Sequence, residues 1–356
     1  MALLVAAVIL AFILGFAAHR ASVCTVRAIA EIMSSRGASI LASVGKSILW
    51  VGAVMIPVFG FLPAAGIGLA GWSLTGFAML GGFLFGVGGA MNGGCAYSTM
   101  ARFVDGDGKM VAAILGFAIG ACCFAALVRW EWLKRPVPAK ALVGSLVAST
   151  WAWIWLGVVA AALVAWALYE ALRLWRTRPA DKRLIDLILA PRYRLSTAAV
   201  LFGLSGATLT LMFGAVSYTS TFELVIEGSL GTRPWPSSTR TVVLVAVLAG
   251  MLFSTLQRRT FRIDWRPRRD WIPNLSGGVL MGLGTALAPG GNDALVLYGI
   301  PTLSPYAIPT AAALLFGVAA GLFTMRRLFG IEARVKCQDD VFIADSWSRP
   351  ITPGGG

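Results

Sequence analysis

The chain carries a single histidine, His19, and only 13% of its 356 residues are charged. One imidazole cannot supply the repeated ligands of a histidine-rich zinc or haem site. It also leaves a serine-type triad poorly provided for. Five cysteines in a chain of this length do not make a disulfide scaffold. A soluble domain carries about 25% charged residues, so a soluble enzyme, a disordered chain and a secreted disulfide-rich domain are excluded. No nucleotide-binding P-loop occurs, which argues against ATP-driven transport within the chain. What the sequence has instead is apolar: 58% hydrophobic residues and a mean hydropathy of +0.78. That is the composition of a polytopic membrane protein. The formal charge of +14 sits in loops between apolar runs, so it reads as membrane topology and not as nucleic-acid binding.

A spanning helix needs roughly 20 mostly apolar residues. About nine hydrophobic segments occur: Ala2 to Ala18, Ile40 to Leu62, Gly76 to Met91, Met110 to Val128, Ala141 to Leu168, Ser196 to Val216, Thr241 to Leu256, Leu275 to Leu287 and Ala307 to Met325. The first lacks a basic flank before it, so it does not read as a cleaved signal peptide. Gly76–Met91 and Leu275–Leu287 are short and rich in glycine, the mark of half-helices that stop inside the protein. Three basic clusters are expected in the cytoplasm: Arg173 to Arg194, Arg258 to Arg269, and Arg326 to Lys336. The segments Arg129–Lys140 and Ser217–Ser238, the latter with Glu223 and Glu227, then fall outside. The expected organisation is a first membrane repeat over residues 1–169, a basic cytoplasmic loop over 170–195, a second repeat over 196–325, and a polar, flexible cytoplasmic tail over 326–356.

An internal repeat underlies that division. Residues 81–92 align with residues 277–288, with five glycines and alanines identical; after an inserted Pro289, Gly93-Gly94-Cys95 faces Gly290-Gly291-Asn292. Paired, glycine-interrupted segments in corresponding halves point to a transport site near the membrane midplane. A glycine pair lets the backbone turn and brings main-chain N–H groups close to a ligand. A helix that starts after such a break presents unpaired N–H groups and a positive dipole end, so two facing breaks make an anion site without a buried lysine. The plain alternative for these glycines is close helix packing.

Cysteine positions add to this. Cys24 lies in His19-Arg20-Ala21-Ser22-Val23-Cys24-Thr25-Val26-Arg27, directly after the first apolar run, and Cys95 follows the first Gly-Gly break. A thiol in either place offers a weak, soft S–H donor suited to a sulfur-bearing anion. Cys122 and Cys123 read as small buried hydrophobes, and Cys337, in the tail, as incidental. His19, Arg20 and Arg27 either attract an anion or form a cytoplasmic interface cluster. Arg102, beside Asp105 and Asp107, reads as a loop residue, and Lys46 as a side chain that snorkels to the interface.

The Ser22-Val23-Cys24-Thr25 stretch, the Gly93-Gly94-Cys95 break, the second Gly-rich break and the duplicated architecture resemble the YeeE/YedE family of bacterial inner-membrane proteins, over roughly Gly15 to Gly321. The resemblance implies an all-α polytopic fold of two pseudo-symmetric halves, with broken helices meeting near the midplane. It implies uptake of thiosulfate along three cysteines, with Cys24 as the first and Cys95 as the second. At the third place this chain has Asn292, followed by Asp293. Asn292 still donates through its amide, whereas an ionised Asp293 would repel an anion unless it points away. The substrate-binding residues expected are therefore Cys24, Gly93, Gly94, Cys95, Gly290, Gly291 and Asn292, with no cofactor or metal. A small cytoplasmic sulfur-carrier protein is an implied partner. The competing readings are a membrane sulfurtransferase-type enzyme and a non-transporting subunit that anchors such a partner.

Overall fold

In lipid the main chain must satisfy its own hydrogen bonds, so long apolar stretches of one chain fold as helices. The computed structural model describes residues 2–21, 24–61, 70–141, 150–177, 186, 190–215, 217–265 and 271–348. Among them, seven helical stretches are long and apolar enough to cross a membrane. The order is α1 (Ala2–Ala21), α2 (Thr25–Ser35), α3 (Ser39–Phe61), β1 (Ala70–Trp72), α4 (Gly76–Asn92), α5 (Ala96–Val104), α6 (Lys109–Arg129), β2 (Pro138–Lys140) and α7 (Thr150–Arg176). There follow α8 (Leu195–Phe213), α9 (Tyr218–Ser229), α10 (Ser238–Arg258), α11 (Trp271–Leu287), α12 (Asn292–Ala294, running on as a π-turn over Leu295–Gly299), α13 (Ala307–Phe329), β3 (Glu332–Gln338) and β4 (Val341–Ser348). The basic residues Arg178, Lys182, Arg183, Arg266, Arg268 and Arg269, as well as Ser22, lie outside the described residues.

Four times a long helix is followed by a break, a helix of 12 residues or fewer, and another long helix. The Gly-rich segments expected to be half-helices are α4 and α11, of 17 residues each, which at 1.5 Å per residue is roughly 26 Å and close to the hydrocarbon thickness. The shorter helices are those that come after the breaks. Helix α7 packs on α3 and otherwise presents an apolar surface, with Ile154, Trp155, Val158 and Leu168 exposed.

Glycines set how closely the long helices approach. A Cβ on Gly278 or Gly282 of α11 would lie 2.1 Å from the carbonyl oxygen of Ala113 or Phe117 on α6. A Cβ on the aligned Gly82 or Gly86 of α4 would lie 2.5 or 2.2 Å from that of Thr310 or Leu314 on α13. Where α4 crosses α11, Gly81 faces Gly284 and Gly88 faces Gly277.

The fold is mainly helical, and the strictly all-α expectation is corrected by two small antiparallel pairs, β1 with β2 and β3 with β4. The second pair also corrects the reading of the tail as a flexible end. Asp339 and Asp340 both have positive φ (49° and 62°), the conformation a tight two-residue hairpin requires. Along β3, Val335 is buried while Arg334 is exposed, a half-buried strand pattern. The hairpin is tied down by Val335, whose N–H donates to Ser34 Oγ at 3.1 Å on α2, and by Asp345, which accepts from Arg27 Nε at 2.8 Å. Asp340 caps the start of α8 by accepting from Ser196 N at 3.1 Å. Residues 349–356 lie outside the described residues.

Candidate functional site

The short helices begin next to one another. Cys24 is the extended residue before α2 (φ −153°, ψ 130°) and Cys95 the one before α5 (φ −71°, ψ 174°). Neither thiol caps its own helix. Instead the Cys95 N–H donates to Cys24 Sγ at 3.2 Å, with both residues buried. The break that places Cys95 there depends on Gly93. It takes up a left-handed conformation (φ 71°) that ends α4, and the Gly94 N–H bonds back to Gly89 O at 2.9 Å, the usual glycine termination. In the other half Gly290 is left-handed (φ 91°) and the Gly291 N–H donates to Thr219 Oγ1 at 2.9 Å.

A cavity of about 30 Å³, room for one water, opens where the four starts meet. Its walls include Cys24 and Thr25 from the start of α2, Tyr97 from α5, Tyr218 from α9, and Asn292 and Asp293 from α12. Thr25 Oγ1 and Asn292 Oδ1 are buried without a hydrogen-bond partner, and such atoms are rare in native interiors. Asp293 does not point freely into this space. Its carboxylate accepts from Ser217 Oγ at 2.8 Å, from Thr219 N at 3.3 Å, and from the Thr219 hydroxyl.

On the side away from the hairpin lies a larger vestibule of about 270 Å³. Arg135, Arg233, Arg240 and Glu223 line it together with Ser217 and Gly290. Arg135 and Arg233 share the fully buried Glu227, at 2.9 and 3.4 Å. Arg240 donates to the Ala215 carbonyl at 3.3 Å and has no carboxylate partner among the described residues. The segment Ser217–Ser238, expected outside, is not a plain loop: its first half is α9, with Glu223 and Glu227 buried. Those two carboxylates are balanced by the nearby guanidinium groups, which loop composition alone does not reveal.

These breaks, the paired thiols and the apolar long helices run through one continuous match to a known family, over residues 4–320. The chain belongs to the sulphur transport family. No curated protein matches it significantly. For this sulphur transport family member, site residues expected from sequence fall in two neighbouring groups: Cys24 and Asn292 on the small cavity, with Cys95 bonded to Cys24, and Gly290 on the vestibule wall. Gly93 lies instead toward the hairpin, where a Cβ would sit 3.5 Å from the Trp347 ring. Sequence reasoning missed Ser217, Thr219, Tyr97 and Tyr218. For Ser217, Tyr218 and Thr219 the signal was Ser217 itself, an N-cap residue at the start of a helix; for Tyr97 it was its place two residues after Cys95.

Other candidates are engaged elsewhere. His19 bonds Ser254 and Thr255 and lies 3.2 Å from Asp105. Arg20 reaches the Ala190 carbonyl and Gln257, with its guanidinium 4.2 Å above the Phe16 ring. Arg102 pairs with Asp107 at 2.7 Å. Lys46, expected at the interface, pairs with Glu170 and bonds Ser196, each at 2.7 Å. Cys123 is exposed on α6 and Cys122 only half-buried, in contrast to the buried reading of both. Cys337, taken as incidental, is half-buried on β3, where burial first and Glu31 second push its thiol up to about 12.

Proposed function

We propose that the chain is a permease for a small sulfur-containing anion, with thiosulfate the species that family resemblance indicates. The observation that carries this reading is the contact of Cys95 with Cys24 Sγ at 3.2 Å, beside a buried cavity that all four short helices line. An anion drawn into the arginine-lined vestibule moves past the second-half break to Cys24 and Cys95, and soft S–H donors receive its sulfur. The N-termini of α2, α5 and α9 add positive dipole ends along the route. Exchange of glycine partners between aligned positions 81, 82, 86 and 88 and their counterparts 277, 278, 282 and 284 supports two pseudo-symmetric halves with re-entrant breaks. The basic ends Arg20, Arg258, Arg326 and Arg327, on the hairpin side, favour a cytoplasmic orientation for that face in a bacterial inner membrane. There a small sulfur-carrier protein can collect the ion. His19, the single imidazole, is held by Ser254, Thr255 and Asp105, so it does not stand free as a base beside the thiols.

The test is growth and labelled uptake on thiosulfate in a bacterium without its own sulfate and thiosulfate importers. Cys24→Ala is expected to cut uptake by roughly tenfold or more, what losing one interaction of about 1.4 kcal/mol in the rate-limiting step produces. Unchanged uptake in a correctly inserted Cys24→Ala protein overturns the cysteine path.

A further inference from the structure

We infer that Asp293 is a tethered anion seated between the vestibule and the central cavity, and that it makes this permease discriminate against dianions in favour of monovalent sulfur anions. The inference rests on the permease reading above and narrows its substrate class.

Placement comes first. Ser217 lines the vestibule and Asp293 lines the central cavity. The two are joined by the hydrogen bond from Ser217 Oγ to the carboxylate at 2.8 Å. An ion leaving the vestibule for Cys24 therefore passes this pair. The donors that hold the carboxylate are two hydroxyls and one main-chain N–H at the start of α9. They are the kind of donors an oxyanion takes at a helix start. The chain fills that seat with its own carboxylate, which is 2% exposed. Thr25 and Asn292, whose side-chain oxygens are buried without a hydrogen-bond partner, belong to the wall of the cavity just beyond. A hydroxyl and an amide can turn donors toward a guest there, while the seat itself is already taken.

Charge then decides what passes. Ser217 and Thr219 at the start of α9 bond Asp293 directly, and Cys24, Thr25, Tyr97, Tyr218 and Asn292 share the cavity wall with it. Among the described residues lining the cavity none is cationic. Nothing there offsets a carboxylate when a second anion arrives. In a site of low dielectric the repulsion scales with the guest's charge, so a dianion is slowed far more than a monoanion of the same shape.

The experiment compares two probes of nearly equal size in proteoliposomes: thiosulfate, a dianion, and methanethiosulfonate, its monovalent analogue. Wild type, Asp293→Asn, Asp293→Glu and Cys24→Ala are measured side by side against empty vesicles. Asp293→Asn is expected to raise the ratio of thiosulfate to methanethiosulfonate flux by roughly tenfold or more, while Asp293→Glu keeps the wild-type ratio. Thiosulfate flux seen only in Asp293→Asn also supports the inference, and removes thiosulfate as the substrate of the wild-type permease. A ratio unchanged by Asp293→Asn, or shifted equally by Asp293→Glu, overturns it. Flux that is insensitive to Cys24→Ala yet changes its ratio with Asp293→Asn sinks the cysteine path and leaves the charge filter standing. No flux in any variant sinks both.

Discussion

Gly282→Val is expected to abolish recovery of folded protein from the membrane. Even the first carbon of the new side chain would lie 2.1 Å from the Phe117 carbonyl oxygen. That oxygen belongs to the main chain of α6 and cannot swing aside. The same helix pair is locked from the other direction, since a Cβ on Gly116 or Gly120 would meet the carbonyl of Leu275 or Val279 at 2.1 or 2.2 Å. Relief requires α6 and α11 to separate along their length. In lipid no hydrophobic force compensates for lost helix contact, because close packing is itself what holds the helices together. The cost exceeds the ~1–3 kcal/mol of ordinary overpacking, in which side chains can yield. Gly45→Ala and Gly157→Ala serve as controls, because a Cβ at either position meets nothing within 4 Å. Fluorescence-detected size exclusion of the solubilised proteins makes the check. A Gly282→Val protein eluting as a single wild-type peak at wild-type yield contradicts the argument.

Such contacts explain why the architecture was largely legible before any coordinates. Sequence patterning alone marks apolar length, and length limits the main chain in lipid to helices. The Gly-rich alignment between residues 81–92 and 277–288 also had physical content, because those glycines are where backbone meets backbone. What patterning could not mark was the short helices. Segments such as Thr25–Ser35 and Tyr218–Ser229 are amphipathic or polar and look like loops in a hydropathy trace. They fold as helices because the surrounding protein, and not lipid, solvates them. The tail misled for a similar reason. Arg334 and Lys336 look like a solvated end, while the register that buries Val335 depends on Ser34 and Arg27, about 300 residues away.

The candidate site was legible in part, and the reason is local. Cys24, Cys95 and Asn292 stand beside glycine breaks or helix starts, features a sequence displays directly. Their neighbours come from α9, whose start is signalled only by Ser217. The conflict posed by Asp293 could not be resolved from sequence, since its partners Ser217 and Thr219 lie more than 70 positions away. A carboxylate next to a proposed anion path looks like a contradiction until its donors are known. Bound at the start of α9, it is part of the cavity's wall.

Freeing the hairpin is expected to expose the first-half break to the aqueous face it covers. Trp347 packs beside Gly93 and its Nε1 donates to Asp345 Oδ2 at 3.2 Å. The same oxygen accepts from Arg27 Nε at 2.8 Å, and the Arg27 guanidinium lies 5.0 Å above the Phe342 ring. Asp345 therefore links the hairpin to α2 three residues beyond Cys24. Burial alone would push its pKa up, but the Arg27 guanidinium and the Trp347 hydrogen bond outweigh that and hold the carboxyl below its ordinary range. A depressed carboxylate contributes stability that is present above its unfolded value and is lost as pH falls through the folded one. The latch is thus closed at neutral pH and opens only in acid, below about pH 4. Asp345→Ala removes it at every pH and strips the mostly buried Arg27 of its carboxylate, a change that costs about 3 kcal/mol or more when a pair is buried. In a protein carrying Cys122→Ser, Cys123→Ser and Cys337→Ser, an impermeant maleimide applied from the hairpin face is expected to label Cys95 and Cys24 about tenfold faster after Asp345→Ala, since a shift of ~1.4 kcal/mol toward the open form suffices for that. Deletion of residues 331–356 is expected to do at least as much. Equal labelling rates with and without the hairpin would show that the break is sealed by the helices themselves.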